Sequence, residues 1–471
     1  MKKIYIIIML SLSIASVSCV QNPNITEEDY LSTPNATNSW VTGLKRKIAL
    51  MLNATVVNME IASDNYYNNY SQYSKVFDKT QIIYTDVDVN TIQSNIHQVR
   101  AMAQFGIDRV IPGDPSTTQE QKAYMYFALA YSYLLAGELF TGLPKSEKGE
   151  MLSWENHLSL AIENFQKAIE LETDDMTKQS YRLLIARAYY RLGDVANAVN
   201  FANMVKNETQ LLYEIKFDGT NGVSNEMQNA IYDAATPNRL APLPRLDFLD
   251  PKYYSAGTVS ASQKSITIVK VEEAYLIIAE AQASSAQIID VKSTLHSLLS
   301  VVSARPVVMV DDSRETRNGG NRHNYPLSNV DIKFDNNSPA KSGYVLNRQN
   351  GNIPAYTISG TSVTSIDIDA CNTQDELLYI IYLLRQEIFM AEGRRISDLG
   401  IRMPVSQNEQ MTNPNVTDVH IQAQIPSFIP RDEDMDDFTY DVQNGLVTIK
   451  HDMNKVLVQN KTSPYIMPFI K

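Results

Sequence analysis

The chain has 471 residues, a formal net charge of −12 and 20% charged residues, with a pI of about 5.1 and a mean hydropathy of −0.24. An acidic surface of this kind repels phosphate backbones, which argues against nucleic acid as a partner. With only two cysteines, Cys19 and Cys371, a disulfide framework is excluded as the basis of the fold.

At the N-terminus, Lys2 and Lys3 precede an almost wholly apolar stretch over residues 4–15. It is too short to span a bilayer and has the length of a signal-peptide core. Ser16 and Ser18 lead into Cys19, an arrangement similar to a bacterial lipobox, although Ser16 stands where Leu is usual. That resemblance implies a signal peptide over 1–18, lipidation at Cys19 and a polar tether over 19–33. Cleavage elsewhere by an ordinary signal peptidase would remove Cys19 instead. Acyl chains would supply membrane affinity at roughly 0.8 kcal/mol per buried methylene.

The first cluster of interest is Asp64, Asn65, Tyr66, Tyr67, Asn68, Asn69 and Tyr70, with Tyr73 beyond it. Flat aromatic faces beside amide and carboxylate groups suit sugar rings, and peptides too. The same spacing also fits a packed helix face through Tyr66, Tyr70 and Tyr73. Trp40, in the segment that opens the body, is read as core.

Helical periodicity then dominates. Residues 121–136 and 154–171 form a predicted pair, the second with a stripe of Leu158, Ala161, Ile162, Phe165, Ala168 and Ile169. Tyr181, Leu184, Ile185, Ala188 and Leu192 make the next stripe, and Val195, Ala198, Ala202 and Val205 another. Gly193 and Asp194 between them are suited to end one helix and cap the next. The run from Ala188 through Asp194 to Ala202 resembles a tetratricopeptide repeat. Further helices are expected over 269–283, 290–302 and 375–399. The intervening stretches 206–265, 304–374 and 402–471 are too long for plain connections. They read as an irregular second layer, with short strands at 362–368 and 446–451. The fold class is therefore all-α: helical pairs near 120–206, 267–303 and 375–400 in a single domain over 34–471, carrying a loop layer.

Three segments resemble the SusD/RagB family of outer-membrane nutrient-binding lipoproteins. One is the helix from Gln121 to Leu129 followed by Phe140-Thr141-Gly142-Leu143-Pro144. The second is Val271-Glu272-Glu273-Ala274-Tyr275 continuing to Ala281. The third and most specific runs from Leu383 to Leu399 and carries Glu387, Glu392, Gly393, Arg394, Arg395 and Asp398. The chain departs from the pattern at 299–305, where only Arg305 of the usual basic run is kept, and at Ile396 and Ser397, which replace an aromatic. The resemblance implies a lipid-anchored, non-enzymatic protein of the outer membrane, facing the cell exterior. It would bind an oligosaccharide or a peptide and pass it to a TonB-dependent transporter. It also implies ligand contacts from the early Tyr-rich segment and from a later loop with Arg317, Arg322, His323, Asn324 and Tyr325. A scaffold that binds protein partners through its helical surface is a further reading.

On helical spacing, Glu392 pairs with Arg395 and Arg394 with Asp398, as a structural signature beside a buried stripe of Leu377, Ile381, Leu384, Ile388 and Ala391. No phosphate loop, dinucleotide turn, nucleophile elbow or zinc motif occurs, and the six histidines lack ligand spacing. The acidic run 432–437 fails as an EF-hand, since Asp437 stands where Gly is required and Gln443 where a bidentate Glu is required. No cofactor, metal site or catalytic group is expected.

Overall fold

The computed structural model describes residues 31, 33, 35–69, 75–232, 237–255, 262–322, 324–348, 351–431 and 435–470. The body is helical, and its sheets are pairs or triplets of short strands. The first helix, α1 (Ala36–Ile61), runs 26 residues. It packs on α2 (Val87–Phe105) and on α3 (Gln119–Leu139). Helix α3 starts at a capping box in which the Thr118 hydroxyl accepts from the Gln121 amide and the Gln121 side chain returns to the Thr118 amide. From Phe127 to Leu139 every residue of α3 is buried, which marks it as the central helix.

Helix α4 (Trp154–Leu171) packs along α3, and α5 (Asp175–Arg191) lies on α4. Gly193, at φ +71°, closes α5. The Asp194 carboxylate then accepts from the Asn197 amide to open α6 (Val195–Val205). The expected cap chemistry is thus realised, and Ala198 and Ala202 are fully buried where α6 meets α5. Helices α7 (Glu272–Ser284) and α8 (Ile288–Ser303) form the next pair. Helix α9 (Gln374–Ile388) buries Leu377, Ile381, Leu384 and Ile388 as expected and packs on α7. The mainly-α class and the helical-pair scaffold stand.

The loop layer contains more order than its composition suggested. Strand β1 (Tyr66–Asn68) is followed by the hairpin β2 (Gly142–Pro144) with β3 (Met151–Ser153). Strand β4 (Leu212–Ile215) precedes β5 (Leu240–Pro242), the partner of β1, and pairs with β6 (Ile266–Lys270). Strand β7 (Val307–Asp311) pairs with β9 (Asn352–Tyr356), which lies beyond β8 (Asp331–Lys333). Strands β10 (Phe438–Asp441) and β11 (Leu446–Ile449) complete a sheet of order β10-β11-β8.

Three local expectations are corrected. Residues 365–368 of the expected 362–368 strand fall in a short helix, Ser365–Ala370, because Thr364 and Asp367 form a capping box that starts a turn of helix. The last helix does not continue to 399. It ends at Ile388, Ala391 and Gly393 take φ of +62° and +70°, and a short α10 (Arg395–Asp398) follows. Tyr66 lies in a strand, so the Tyr66–Tyr70–Tyr73 helix face does not form; Tyr70 and Tyr73 lie outside the described residues. The 446–451 strand is present as β11.

Among the described residues no helix is long and apolar enough to cross a membrane. Cys19 and the 1–18 segment lie outside them.

Candidate functional site

The Glu/Arg signature builds the interior, by long-range contacts and not by the helical spacing expected of it. Arg395 reaches Asp64 (Nε–Oδ1 2.6 Å, Nη2–Oδ2 3.0 Å). Arg394 reaches Glu273 at 2.6 Å, and the same carboxylate receives Arg187 at 2.7 Å. Asp398 is held by Arg385 at 2.7 Å and by Arg191 at 3.1 Å. Glu392 takes Lys252 and Lys270. Glu387 accepts from the Ser362 hydroxyl and amide and from the Thr361 hydroxyl, which pins that loop. The correction has a simple cause. The left-handed corner at Ala391 and Gly393 breaks the helix, so i,i+3 and i,i+4 neighbours no longer share a face. The Arg385 and Arg191 guanidiniums hold the Asp398 carboxyl down at about 2, against the opposing effect of burial.

The proposed ligand residues in the early segment are also interior. Asp64, Asn65 and Tyr66 are fully buried. Asn65 donates to Glu60 (2.9 Å), and Gln386 donates to both Asp64 (2.8 Å) and Asn65 (3.0 Å). The structure brings Tyr67, Arg322 and Tyr325 together, but as packing. Tyr67 and Tyr325 stand 6.4 Å apart by ring centroids, and the Arg322 guanidinium lies 4.7 Å from the Tyr67 ring and 4.3 Å from Phe438. Asp437 pairs with Arg322 at 2.8 Å. Among the described residues of this cluster, Tyr67 and Tyr325 are buried and Arg322 is ion-paired and partly exposed, so these three pack together and do not form an open aromatic face. His323 lies outside the described residues. Arg317 is fully engaged with Asp247, Asp250 and Glu315.

The large open cleft lies elsewhere, with a volume of about 1310 Å³. One wall is α2, supplying Asn90, Gln93, Ser94, His97, Gln98, Arg100, Gln104 and Phe105. A second is the tip of the β2–β3 hairpin, residues 145–148. The third is α11 (Gln407–Thr412) with Ser406, and Tyr133 of α3 also contributes. Short backbone bonds fix the third wall to the rest. Met403 donates to the Leu139 carbonyl (2.7 Å), Thr141 donates to the Met403 carbonyl (3.0 Å), and Gln407 donates to the Tyr84 carbonyl (2.8 Å). The Gln93 side chain joins two walls, accepting from the Ser406 amide (2.8 Å) and donating to Glu409 (3.2 Å).

Helix α2 buries Val89, Ile92, Gln93, Ile96, Val99, Arg100 and Ala103. Two members of this otherwise apolar stripe, Gln93 and Arg100, are polar, and both line the cleft. Below the cleft, the Arg100 guanidinium lies 5.5 Å from the Tyr133 ring, and Tyr133 stands 5.8 Å from His157. The buried His157 ring bonds the Leu143 carbonyl through Nε2 (2.9 Å). Burial, with Arg100 beside it, pushes His157 down to about 4 and His97 to about 2, so both rings are neutral at physiological pH. At the far end, α2 runs into a π-helical turn (Gly106–Val110). A side chain at Gly106 would meet the Met125 sulfur at 2.7 Å and the Trp40 indole nitrogen at 2.9 Å. Trp40 itself is partly buried, with its ring 5.0 Å from Phe105 and tilted by 33°, and donates to the Met102 carbonyl.

The cleft offers amides, hydroxyls, one buried guanidinium and the rings of Phe105 and Tyr133. Among the described residues no group of three or more His, Cys, Asp or Glu side chains is placed to hold a metal ion. The sequence reading missed this site. Its walls come from three separate segments, and the one local signal was the polar pair within the buried stripe of α2.

No family model and no curated relative matches the chain. Solved structures do. A SusD superfamily protein from Bacteroides fragilis is 14% identical, with a TM-score of 0.51 over 84% of this chain and 100% of that one. A SusD superfamily protein from Bacteroides thetaiotaomicron is 13% identical, with a TM-score of 0.51 over 82% and 98%. A laminarin-binding SusD-like protein is 13% identical, with a TM-score of 0.48 over 78% and 91%. The likeness is one of architecture carried by a very different sequence: this chain has the SusD-like fold.

Proposed function

We propose that the protein binds an oligosaccharide in the cleft between α2, the β2–β3 hairpin tip and α11, and breaks no bond in it. The cleft is what supports this reading. At about 1310 Å³ it exceeds the ~300–1,000 Å³ usual for a small-molecule pocket. Its walls carry amide and hydroxyl groups (Asn90, Gln93, Ser94, Gln98, Gln104, Asn408) beside the partly buried ring of Phe105. Sugars present hydroxyl rims and apolar C–H faces, and this lining matches both. The SusD-like fold and the resemblance of the 383–399 segment to the SusD/RagB pattern point the same way. By that resemblance the protein is held at the outer membrane by acyl chains on Cys19, faces the cell exterior, and passes its ligand to a TonB-dependent transporter.

The test is calorimetry of the mature protein against a panel of tetrasaccharides and tetrapeptides, repeated with Gln98→Ala combined with Asn408→Ala. The expected result is saccharide binding that weakens about tenfold in the double variant, the scale of losing one or two hydrogen bonds. Peptide binding alone, or saccharide binding that the double variant leaves unchanged, overturns the assignment.

A further inference from the structure

Among the described residues of the cleft wall two buried side chains carry an unpartnered nitrogen, His97 and Arg100, and of the two Arg100 is the charged one. The residue is only 5% exposed, yet Nη1 is a buried donor without a hydrogen-bond partner. No carboxylate among the described residues lies within ion-pairing distance of it. Elsewhere in this interior most buried arginines are met by acids: Arg187 by Glu273, Arg385 by Asp398, Arg395 by Asp64, Arg317 by Asp247 and Asp250; Arg402, which is not, lies 4.0 Å over the Trp154 ring and donates to the Gly137 carbonyl. Among the described residues Arg100 meets the face of Tyr133 at 5.5 Å and no carboxylate at ion-pairing distance, with the charge of Glu409 farther off.

The acids near the cleft are engaged or peripheral. Glu409 accepts from Asn413 (2.9 Å) and from Gln93 (3.2 Å), with His97 Nδ1 at 3.8 Å. Asp108 accepts from Gln104 (2.9 Å) on the exposed side. Glu147 is exposed on the hairpin tip, between the exposed Lys145 and Lys148. His97 carries no charge to repel an anion. Burial pushes Arg100 itself down, but only to about 10, so it stays charged at neutral pH.

A guanidinium carries five donors in a planar fork that matches a carboxylate or a sulfate. Buried without a direct acceptor, it carries a desolvation cost that the Tyr133 ring and the more distant charge of Glu409 relieve only in part. Resting on the assignment of the cleft to an oligosaccharide, we infer that the ligand is an acidic glycan whose anionic group is held by Arg100, with Lys145 and Lys148 drawing the chain in at the mouth. Uronate carboxylates and sulfate esters share this chemistry.

The experiment titrates the mature protein with tetragalacturonate, a carrageenan tetrasaccharide, maltotetraose and tetraglutamate at two salt concentrations. It is repeated with Arg100→Gln and Arg100→Lys, and thermal midpoints are read without ligand. Wild type should prefer one or both anionic saccharides over maltotetraose by at least about tenfold. Arg100→Gln should lose about 10- to 100-fold of that affinity, and Arg100→Lys should recover only part of it. Galacturonate and carrageenan arms separate carboxylate from sulfate. Without ligand, the midpoint of Arg100→Gln should equal or exceed that of wild type, since an uncompensated cation is removed. Binding of maltotetraose as tight as of the acidic saccharides overturns this inference while the glycan reading survives. Tight binding of tetraglutamate alone overturns both. A lowered midpoint in Arg100→Gln with acidic-glycan affinity intact makes Arg100 a structural residue and sinks the inference.

Discussion

Asp64 and Arg395 stand 331 positions apart in the chain and share a two-pronged ion pair, 2.6 Å and 3.0 Å, in a fully buried site. The contact ties the loop after α1 to the corner after α9. Around it, Gln386 donates to Asp64, and Gly393 donates its amide to Glu60 at 2.7 Å.

Removing one partner of such a pair leaves an isolated charge in the interior. Asp64→Asn should therefore destabilise by about 3–5 kcal/mol, whereas replacing both partners by apolar residues should cost much less than the sum of the single changes. A double-mutant cycle in urea measures this. Additive losses would show that the two residues act independently.

Glu273 answers two arginines, Arg187 and Arg394, from α7. Glu273→Gln keeps its shape but leaves two guanidiniums with one neutral acceptor. The expected loss is at least about 3 kcal/mol. Lys167→Gln breaks the exposed pair with Glu163 and a 5.9 Å contact with the Tyr126 ring and should fall within about 1 kcal/mol of wild type. Equal effects in chemical denaturation would refute the contrast.

Gly393 takes φ of +70° with the Val56 Cα 3.2 Å from where a Cβ would sit, while Gly445 takes φ of +59° with nothing within 4 Å. Gly445→Ala should cost about 1–2 kcal/mol from backbone strain alone. Gly393→Ala should cost more, because α1 must also shift. Thermal midpoints of the two variants rank them, and a Gly393→Ala loss no larger than that of Gly445→Ala would contradict the close approach.

Two buried carboxyls give opposite pH dependences. Asp398 is held at about 2 against 3.8 for a free Asp. Its stabilisation is present above pH 3.8 and disappears as pH falls through about 2. Glu60 is pushed up to about 7 by burial. The folded protein thus binds a proton that the unfolded chain releases near 4.5, and stability declines by up to about 3 kcal/mol as pH rises from 4.5 to 7. In Glu60→Gln the slope between pH 5 and 7 should flatten, whatever constant offset the amide brings. An unchanged slope in urea titrations across that range would assign the dependence to another group.

What the sequence disclosed follows from the range of each interaction. The stripes of α4 to α9 and the Gly193–Asp194 junction are local, so periodicity and cap chemistry reveal them. The partners of Glu392, Arg394 and Arg395 are not local. They depend on where the chain turns at Ala391 and Gly393, and helical spacing named the wrong ones. The Asp64–Tyr67 run has the composition of a binding surface, but the Asp64 carboxylate and the Asn65 amide are taken up by Arg395, Gln386 and Glu60, and the Tyr66 and Tyr67 rings are buried. The cleft was invisible because the hairpin tip and α11 are unremarkable alone. Only Gln93 and Arg100, out of place in the stripe of α2, gave it away.

The ion pairs that reach back from residues 385–398 also set an order of events. Asp64 is synthesised long before Arg395, its two-pronged partner, whereas Glu273 follows Arg187 and gains Arg394 only late. Until that late segment emerges, the earlier helices can collapse only by leaving Asp64 without this partner in an apolar interior. Final compaction must therefore wait for nearly the entire chain, and a version truncated before Arg385 should remain loosely packed and open to proteolysis.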